Sequence, residues 1–578
     1  MKKNGRFLLE KQKKPPFFCF FLTLFLSRLN RNEGYATVKK RKGGRTLVKR
    51  RREKSNLLTA VLLAAVSMVL IGCGAGAGKQ AMTTAETAVA YATEAAAPEV
   101  PAGISWDSAE AAAAEEGFWE EDIRVWETPG TEEYGKFEEN PFLSCAETPV
   151  STFAADVDTA SYANIRKRIL RGDAVNPDSV RIEEMINYFS YEYPEPEGDA
   201  PFSVTAEIGD CPWQEGHQLL RIGLQAEKLD KDILPPSNLI FLLDVSGSMD
   251  TADKLPLVKR AFLLLTENLK PEDRISIVTY ASNDQVLLEG AQGQDRLEIM
   301  SAIENLEAFG STNGSAGILT AYELAEKYFI PGGNNRVILA TDGDFNVGMT
   351  SERDLIRLIE TQREKGVFLS VMGFGMGNVK DDTMEFLADN GNGNYAYIDD
   401  IGEARKVLIE EMGGTLFTVA KDVKIQVEFD PACIKEYRLI GYENRLMAAE
   451  DFDDDQKDGG ELGAGHRVTA IYELVLDPGA GSADPWLTVR LRYKEPDGEK
   501  SALLEYPVGI ENVETELSPD FSFAAGVAQT GMLLRGSEYS GTSTYQDIIT
   551  RLKALPGITE DPYKEEFLYL LSKLKRME

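Results

Sequence analysis

Residues 236–415 alternate between short apolar runs and longer amphipathic stretches, and this alternation is the strongest constraint on the fold. Apolar runs of four to eight residues predict strands, whereas apolar residues every three or four positions predict helices. Strands that alternate with helices form a mostly parallel sheet with helices on both faces, so we expect a doubly wound α/β unit. The predicted strands cover residues 239–243, 274–280, 286–288, 336–341, 367–374 and 395–398. The predicted helices cover residues 254–269, 296–306, 316–329, 352–365, 382–388 and 403–412.

The first predicted strand ends in three oxygen-bearing side chains at alternate positions: Asp244, Ser246 and Ser248. A carboxylate and two hydroxyls are the ligands that Mg²⁺ and Mn²⁺ prefer. Thr312 lies on a Gly-rich turn, and Asp342 follows another apolar strand. Because ligands gather outside the carboxyl ends of parallel strands, we expect Asp244 and Asp342 to meet there. The alternative is a strand-end turn of serines and glycines that binds no ion.

The order of these segments, DVSGS, then GST at residues 310–312, then TDG at residues 341–343, resembles the metal-ion-dependent adhesion site of von Willebrand factor type A domains. The resemblance implies that Asp244, Ser246 and Ser248 contact Mg²⁺ or Mn²⁺, and that Thr312 and Asp342 bind it directly or through water. It further implies one open coordination position for an acidic side chain of a protein partner. On binding, the last helix of the domain, residues 403–412 here, would shift.

Charge is distributed unevenly along the 578 residues, whose formal net charge is −32. The first 72 residues contain 18 lysines and arginines against 3 acidic residues, so the remainder holds 44 of the 62 basic and 91 of the 94 acidic residues. An acidic chain of this kind does not neutralise phosphates, which argues against a nucleic-acid partner. It favours solubility and attracts divalent cations.

The basic end predicts an export signal. Lysines and arginines between residues 39 and 52 precede an apolar stretch at residues 57–71, which closes on Leu70-Ile71-Gly72-Cys73. That sequence resembles a bacterial lipobox, whose cysteine receives a lipid and becomes the mature N-terminus. The expected location is therefore the extracytoplasmic face of the cell membrane, with Cys73 lipidated. An uncleaved transmembrane anchor is the alternative, although roughly 20 apolar residues are usual for a span. The role of residues 1–38 and the true start codon stay open.

The remaining chain divides into five further parts on either side of the α/β unit. After the signal and lipobox (1–73), residues 74–135 have the composition of a disordered linker. Alternating apolar and polar runs at residues 201–235 and 416–515 predict that the α/β unit (236–415) is inserted in a β-sandwich. Residues 136–200, with a helix predicted at 178–191, and the helical residues 516–578 resemble the N-terminal and C-terminal domains of a family of bacterial lipoproteins that contain a type A domain.

Two other sequence features could carry chemistry. Asp451, Asp453 and Asp455 have the spacing of a calcium loop, but Gln456 and Leu462 replace its usual Gly and Glu, so Ca²⁺ binding and a solvated acidic turn stay open. Cys145, Cys211 and Cys433 lie in the predicted mature chain. A Cys211–Cys433 disulfide is compatible with an exported protein, and isolated buried thiols are the alternative.

The sequence favours a binding protein over an enzyme. The chain has two histidines, His217 and His466, both distant in sequence from the candidate metal loop, so few bases exist for nucleophilic catalysis. We expect a surface-anchored lipoprotein that captures a protein partner through its metal. The alternative is a metal-dependent enzyme or an assembly factor for an envelope complex, because an ion with an open position can act as a Lewis acid.

Overall fold

A computed structural model describes residues 134–578, apart from residues 137, 199, 230–233, 313, 344–351, 377–379, 412, 415–416, 479–484 and 497. Residues 1–38, Cys73 and all but the last two residues of the predicted linker (74–135) lie outside the described residues. The described strands are β1 (Leu143–Ser144), β2 (Val150–Ala154), β3 (Phe202–Asp210), β4 (Gln218–Ala226), β5 (Ser237–Asp244), β6 (Arg274–Tyr280), β7 (Asp284–Gln292), β8 (Asn334–Thr341), β9 (Val367–Phe374), β10 (Tyr395–Ile398), β11 (Thr418–Phe429), β12 (Ile434–Ile440), β13 (Gly460–Gly463), β14 (Arg467–Leu476), β15 (Leu487–Lys494) and β16 (Ser501–Val508).

The described helices are α1 (Ala160–Arg171), α2 (Ile182–Asn187), α3 (Leu255–Glu267), α4 (Arg296–Glu304), α5 (Gly314–Lys327), α6 (Glu352–Glu364), α7 (Asp381–Asn390), α8 (Ile401–Arg405), α9 (Pro519–Arg535), α10 (Tyr545–Lys553) and α11 (Pro562–Met577). Among the residues described, no helix combines the length and apolar character that a membrane crossing requires.

A six-stranded sheet in the order β10-β9-β8-β5-β6-β7 forms the α/β unit. All its pairings are parallel except that of β7 with β6. Helices cover both faces: one apolar core lies beneath α3 and α4, and the other beneath α5 and α6. The central strands β5 and β8 are buried along their whole length, which explains their nearly continuous apolar sequences. The predicted α/β fold is confirmed, and β6, β9 and β10 begin and end at the predicted residues.

Two antiparallel sheets pack together around a separate core to form a β-sandwich. One sheet has the order β1-β12-β14-β4-β3, and the other has the order β13-β11-β15-β16, with β2 also paired to β11. Strands that precede the α/β unit in sequence, β3 and β4, therefore share a sheet with strands that follow it. The α/β unit leaves the sandwich after β4 and returns to it at β11.

The first and last helices of the described chain share a third core. Tyr162 of α1 and Met185 of α2 belong to the same apolar cluster as Phe523 of α9 and Phe567 of α11. Phe189, just after α2, packs edge-to-face against Phe523 at a ring-centroid distance of 4.9 Å. Both ends of the described chain therefore contribute side chains to one hydrophobic core.

Three local predictions are corrected. The helix expected at residues 178–191 is shorter: a 3₁₀ turn at Pro177–Ser179 precedes α2, which ends at Asn187 because the Tyr191 hydroxyl donates to the Ile186 carbonyl. The helix expected at residues 403–412 begins at Ile401, and its second half, Lys406–Glu410, is a π-helical turn. The long connection between β12 and β14 contains the short strand β13, which the sequence pattern did not predict.

Candidate functional site

The two candidate carboxylates lie at the carboxyl ends of neighbouring parallel strands. Asp244 is the last residue of β5, and Asp342 directly follows β8. Since β5 and β8 pair in parallel from Ser237 to Leu243, both carboxylates lie at the same edge of the sheet. Asp244 is 0% exposed and Asp342 is 1% exposed. Burying two carboxylates together is unfavourable unless cations or hydrogen-bond donors compensate them.

The loop after β5 folds back onto Asp244. The Ser246 backbone N–H donates to Asp244 Oδ1 at 2.8 Å, and the Ser246 and Ser248 hydroxyls lie 3.0 Å apart. The Thr341 hydroxyl contacts Asp244 Oδ2 at 3.4 Å from the neighbouring strand. The carboxylate and the two serine hydroxyls predicted from the sequence are therefore side by side.

The segment that contains Thr312 lies against this loop. The Gly247 N–H donates to the Gly310 carbonyl at 3.1 Å, and the Phe309 N–H donates to the Val245 carbonyl at 2.7 Å. A Cβ at Gly247 would lie 3.2 Å from the Gly310 carbonyl oxygen, so glycine permits the close approach. These contacts position the backbone before Thr312, which is itself half-buried. They leave the direction of its hydroxyl unspecified.

Sequence reasoning missed one charged residue of the site, Lys254. This residue immediately precedes α3, is 6% exposed, and donates from Nζ to Asp342 Oδ2 at 2.8 Å. Its aliphatic stem passes Gly375, where a Cβ would lie 2.4 Å from the Lys254 Cε. A lysine that closes an acidic loop only ten residues after Asp244 was the available signal. The burial of Lys254 depends on Gly375, 121 positions later, and therefore could not be predicted from the sequence.

Electrostatics keep the two carboxylates interdependent. The pKa of Asp244 is raised to about 6, chiefly by burial; hydrogen bonds from Ser246 lower it, and the neighbouring Asp342 carboxylate raises it. A cation at the site would oppose both unfavourable effects. Lys254 supplies one positive charge within hydrogen-bond distance of Asp342.

The donor set fits a hard divalent cation. Asp244, Ser246, Ser248 and Asp342 offer only oxygen atoms, and Thr312 would add another hydroxyl from the adjacent segment. Oxygen-only sets suit Mg²⁺ and Mn²⁺, whereas catalytic zinc sites usually contain His or Cys. Metal binding at such sites is common among type A domains, but the identity of an ion here is not shown.

The structure does not group the predicted calcium residues. Asp451 and Asp453 lie in a 3₁₀ turn, where Asp451 is 3.5 Å from the Lys457 ammonium and Asp453 pairs with Arg492. Arg492 also lies 3.9 Å from Asp455, so basic side chains already compensate all three carboxylates. Within the described ranges, close carboxylate groups lie elsewhere: Asp381, Asp382 and Glu385; and Asp422, Asp458 and Glu461. Arginine or lysine side chains pair with members of both groups.

Helix α1 contacts the surroundings of the candidate metal site from outside the α/β unit. The Lys167 ammonium is 3.0 Å from Asp253 Oδ2 and 3.1 Å from the Tyr397 hydroxyl. That hydroxyl donates in turn to the Gly375 carbonyl, beside the Lys254 stem. The adjacent Arg166, 4% exposed, pairs with Asp399 and with Glu403 of α8. Helix α1 is therefore linked both to the site's edge and to the last helix of the unit.

Comparisons with known proteins identify three segments. The family described as "von Willebrand factor type A domain" matches residues 238–409, and "von Willebrand factor" matches residues 128–221. The family described as "Uncharacterized protein YfbK, C-terminal" matches residues 414–577. The protein YfbK of Escherichia coli (strain K12) is 41% identical over 470 residues, which cover 77% of this chain and 81% of YfbK.

More distant relatives are also found. The protein sll0103 of Synechocystis is 27% identical over 312 residues, which cover 52% of this chain and 72% of that protein. A solved von Willebrand factor type A structure from Catenulispora acidiphila is 16% identical, covers 62% of this chain and 89% of its own, and has a TM-score of 0.36. The ArnB paralog VWA2 from Sulfolobus acidocaldarius is 17% identical, covers 65% of this chain and 98% of its own, and has a TM-score of 0.32.

Proposed function

Because the chain belongs to the bacterial YfbK family, in which a von Willebrand factor type A domain precedes a dedicated C-terminal domain, we propose that it binds a protein partner through a divalent cation. Proteins with type A domains commonly mediate protein interactions. In this proposal Asp244, Ser246, Ser248, Thr312 and Asp342 hold Mg²⁺ or Mn²⁺. The partner's acidic side chain takes the remaining coordination position, and the protein catalyses no reaction.

One observation carries the proposal. Asp244, hydrogen-bonded to its own loop, and Asp342 converge at one sheet edge with two serine hydroxyls that contact each other. Such a site binds without covalent chemistry. The ion orients the partner's carboxylate, and this carboxylate replaces part of the ion's hydration shell. A partner that binds two conformations of the site unequally would also shift their populations.

The proposed location is the extracytoplasmic face of the cell membrane, where a lipid on Cys73 would hold the chain. The support is the basic and apolar sequence that precedes this cysteine. Incorporation of labelled fatty acid into the expressed protein tests this anchor. We expect labelling of the parent and of Cys19→Ser, which removes the other cysteine that precedes residue 134, but no labelling of Cys73→Ser. Labelling of Cys73→Ser would reject the anchor and leave the metal site as a separate question.

Mn²⁺ binding to the detergent-solubilised full-length protein, followed by electron paramagnetic resonance, tests the site itself. We expect one bound ion in the parent and about a hundredfold weaker binding in Asp244→Ala, because a buried carboxylate ligand is lost. Asp250→Asn is the matched control, since Asp250 is an exposed carboxylate of the same loop. Equal Mn²⁺ affinity in Asp244→Ala and the parent would reject the site.

Affinity capture from cell envelopes then tests the role. We expect Mg²⁺-dependent capture of a protein that is lost with EDTA and with Asp342→Asn, and kept with Asp250→Asn. Capture that survives both treatments would mean that the partner does not bind through the ion.

A further inference from the structure

Lys254 places a positive charge directly at a candidate cation site. Its ammonium lies 2.8 Å from Asp342 Oδ2, and both side chains are buried. A lysine this close to a metal ligand repels the metal, so its presence costs metal affinity. The Lys254–Asp342 pair is not an ordinary surface ion pair, because it is buried. It also closes the loop that carries Ser246 and Ser248.

Contacts along the side chain fix Lys254 in this position. The Lys254 N–H donates to the Thr251 carbonyl at 3.1 Å, which anchors its backbone at the start of α3. Its stem fills the space left by the missing side chain of Gly375. Gly375 has a φ of +79°, a backbone conformation that favours glycine. The backbone that contacts the lysine stem therefore also requires glycine at this position.

Counting charges shows what Lys254 does to a loaded site. Asp244 and Asp342 contribute two negative charges, and a divalent cation would neutralise them. Counting only these three described side chains and the ion, Lys254 changes the charge of the loaded site from zero to about +1. The nearby Asp253 carboxylate is 3.0 Å from the Lys167 ammonium, so that pair adds no net charge. Without Lys254, the loaded site would be neutral and would attract an anion only weakly.

We propose that Lys254 is a specificity-determining residue that exchanges metal affinity for affinity toward a carboxylate ligand. The inference rests on the proposed metal-dependent binding of an acidic side chain, and it adds the residue of this chain that makes the loaded site favour a single anionic group. A neutral or cationic ligand at the open position gains nothing from a site that carries a positive charge.

Replacing Lys254 by a neutral residue should change the affinity for the metal and the affinity for the ligand in opposite directions. In Lys254→Met and Lys254→Gln, we expect Mn²⁺ to bind about tenfold more tightly, since a repelling charge is removed. Acetate, used as a probe for a single carboxylate, should bind the Mn²⁺-loaded variants about tenfold more weakly than the parent. Electron paramagnetic resonance measures the first constant, and the loss of Mn²⁺-bound water detected by proton relaxation measures the second.

Two features of the design separate charge from structure. Lys254→Gln retains a hydrogen-bond donor for Asp342, and thermal melting without metal reports whether each variant is folded. Lys259→Met removes the same charge from the same helix at a partly exposed position, where the ammonium donates to the Glu304 carbonyl. We expect both binding constants of Lys259→Met to match those of the parent within about twofold, because the charge is distant and solvated.

The outcomes are distinguishable. If the parent binds no Mn²⁺, the proposed function fails. If the parent binds Mn²⁺ but the folded Lys254 variants bind both metal and acetate more weakly, Lys254 only maintains the structure and the inference fails. Unchanged acetate affinity in Lys254→Gln would also overturn it.

Discussion

The Lys254 ammonium donates to the Asp342 carboxylate across 2.8 Å, with the two side chains 6% and 1% exposed. Eighty-eight residues separate them in the sequence, so the contact joins the start of α3 to the end of β8. Removing one partner of such a pair leaves the other charge buried and uncompensated, whereas removing both does not. The energies of the two residues are therefore expected to be coupled.

A double-mutant cycle measures this coupling without metal. We expect Lys254→Met and Asp342→Asn each to lower the free energy of unfolding by about 3 kcal/mol. The double variant should lose clearly less than the sum, with a coupling of about 2 kcal/mol. Urea unfolding in EDTA, with Lys259→Met as control, provides the measurement. Additive losses would show that the pair makes no net interaction in solution.

Gly375→Ala tests the space that Lys254 occupies. The new Cβ would lie 2.4 Å from the Lys254 Cε on a backbone with φ of +79°, so we expect a loss of about 3 kcal/mol from strain and steric conflict together. Gly172→Ala is the matched control: its φ is +80°, and nothing lies within 4 Å of the position that an added Cβ would take there. It should lose only about 1 kcal/mol from backbone strain.

The same substitution in a Lys254→Ala background separates the two contributions. With the lysine stem removed, Gly375→Ala should cost no more than Gly172→Ala does in the parent. An undiminished cost in that background would mean that Lys254 does not define the wall beside Gly375.

Glu183 gives a stability change that depends on pH. Its pKa is raised to about 7, chiefly by burial and also by the acidic neighbours Glu443 and Asp156, and among the described residues its Oε2 has no hydrogen-bond partner. The folded state therefore holds this proton to a higher pH than the unfolded state, so the stability that Glu183 contributes falls as pH rises from about 4.5 to about 7. At pH 8 the buried charge is a net cost.

Glu183→Gln should consequently stabilise the protein by about 2 kcal/mol at pH 8. The advantage should be nearly lost at pH 4.5, where the carboxyl is protonated in the folded parent and half protonated in the unfolded chain. Chemical unfolding at the two pH values measures the difference, and the exposed Glu192→Gln serves as control. A variant that is less stable than the parent at pH 8 contradicts this assignment.

The described cysteines are predicted to remain reduced and unreactive in the folded protein. Cys145, Cys211 and Cys433 are buried and unbonded; Cys211 lies in the core of the terminal helices, whereas Cys433 lies in the sandwich core. Burial raises the pKa of the Cys145 thiol to about 11 and that of Cys211 to about 12, which suppresses the reactive thiolate. The open question of a Cys211–Cys433 disulfide is thereby answered: these two thiols are not paired.

Thiol titration with Ellman's reagent checks this prediction. With Cys19 and Cys73 both changed to serine, the three remaining cysteines should react slowly in buffer and completely in guanidinium chloride without reductant. Fewer thiols after denaturation in the absence of reductant would reveal a disulfide. Cys145→Ser, which removes one of the three, calibrates the count.

Regular, buried elements were the most predictable part of the fold. Strands β6, β9 and β10 match the prediction because apolar runs in a covered parallel sheet have sharp boundaries. The helix predicted at 178–191 was too long because Phe189 continues the helical spacing of Met185 and Ile186, yet enters the shared core outside a helix. The π turn at Lys406–Glu410 was not predictable either: it follows α8, whose Glu403 pairs with Arg166 of a helix distant in sequence.

The part of the site that could be predicted is the part that depends on residue types and on positions at strand ends. Asp244 and Asp342 end apolar runs, so their meeting followed from the parallel sheet alone. The part played by Lys254 depends on a glycine at the end of a different strand, and no periodicity in the sequence links the two. The binding of an ion by these residues, and of a partner by that ion, stays a prediction until it is measured.

Helices α1 and α2 complete their core only with α9, α10 and α11, which follow the α/β unit and the sandwich strands in the sequence. During synthesis, the α/β unit can close its own sheet as soon as β10 has emerged, because every strand of that sheet is then available. Ala160 and Ala163 of α1 can pack on that unit at once, but the apolar residues of α1 that face α11 must wait for about four hundred further residues. Newly made chains therefore pass through a stage with a finished central unit and partly exposed flanking helices, to which a chaperone or a protease could bind.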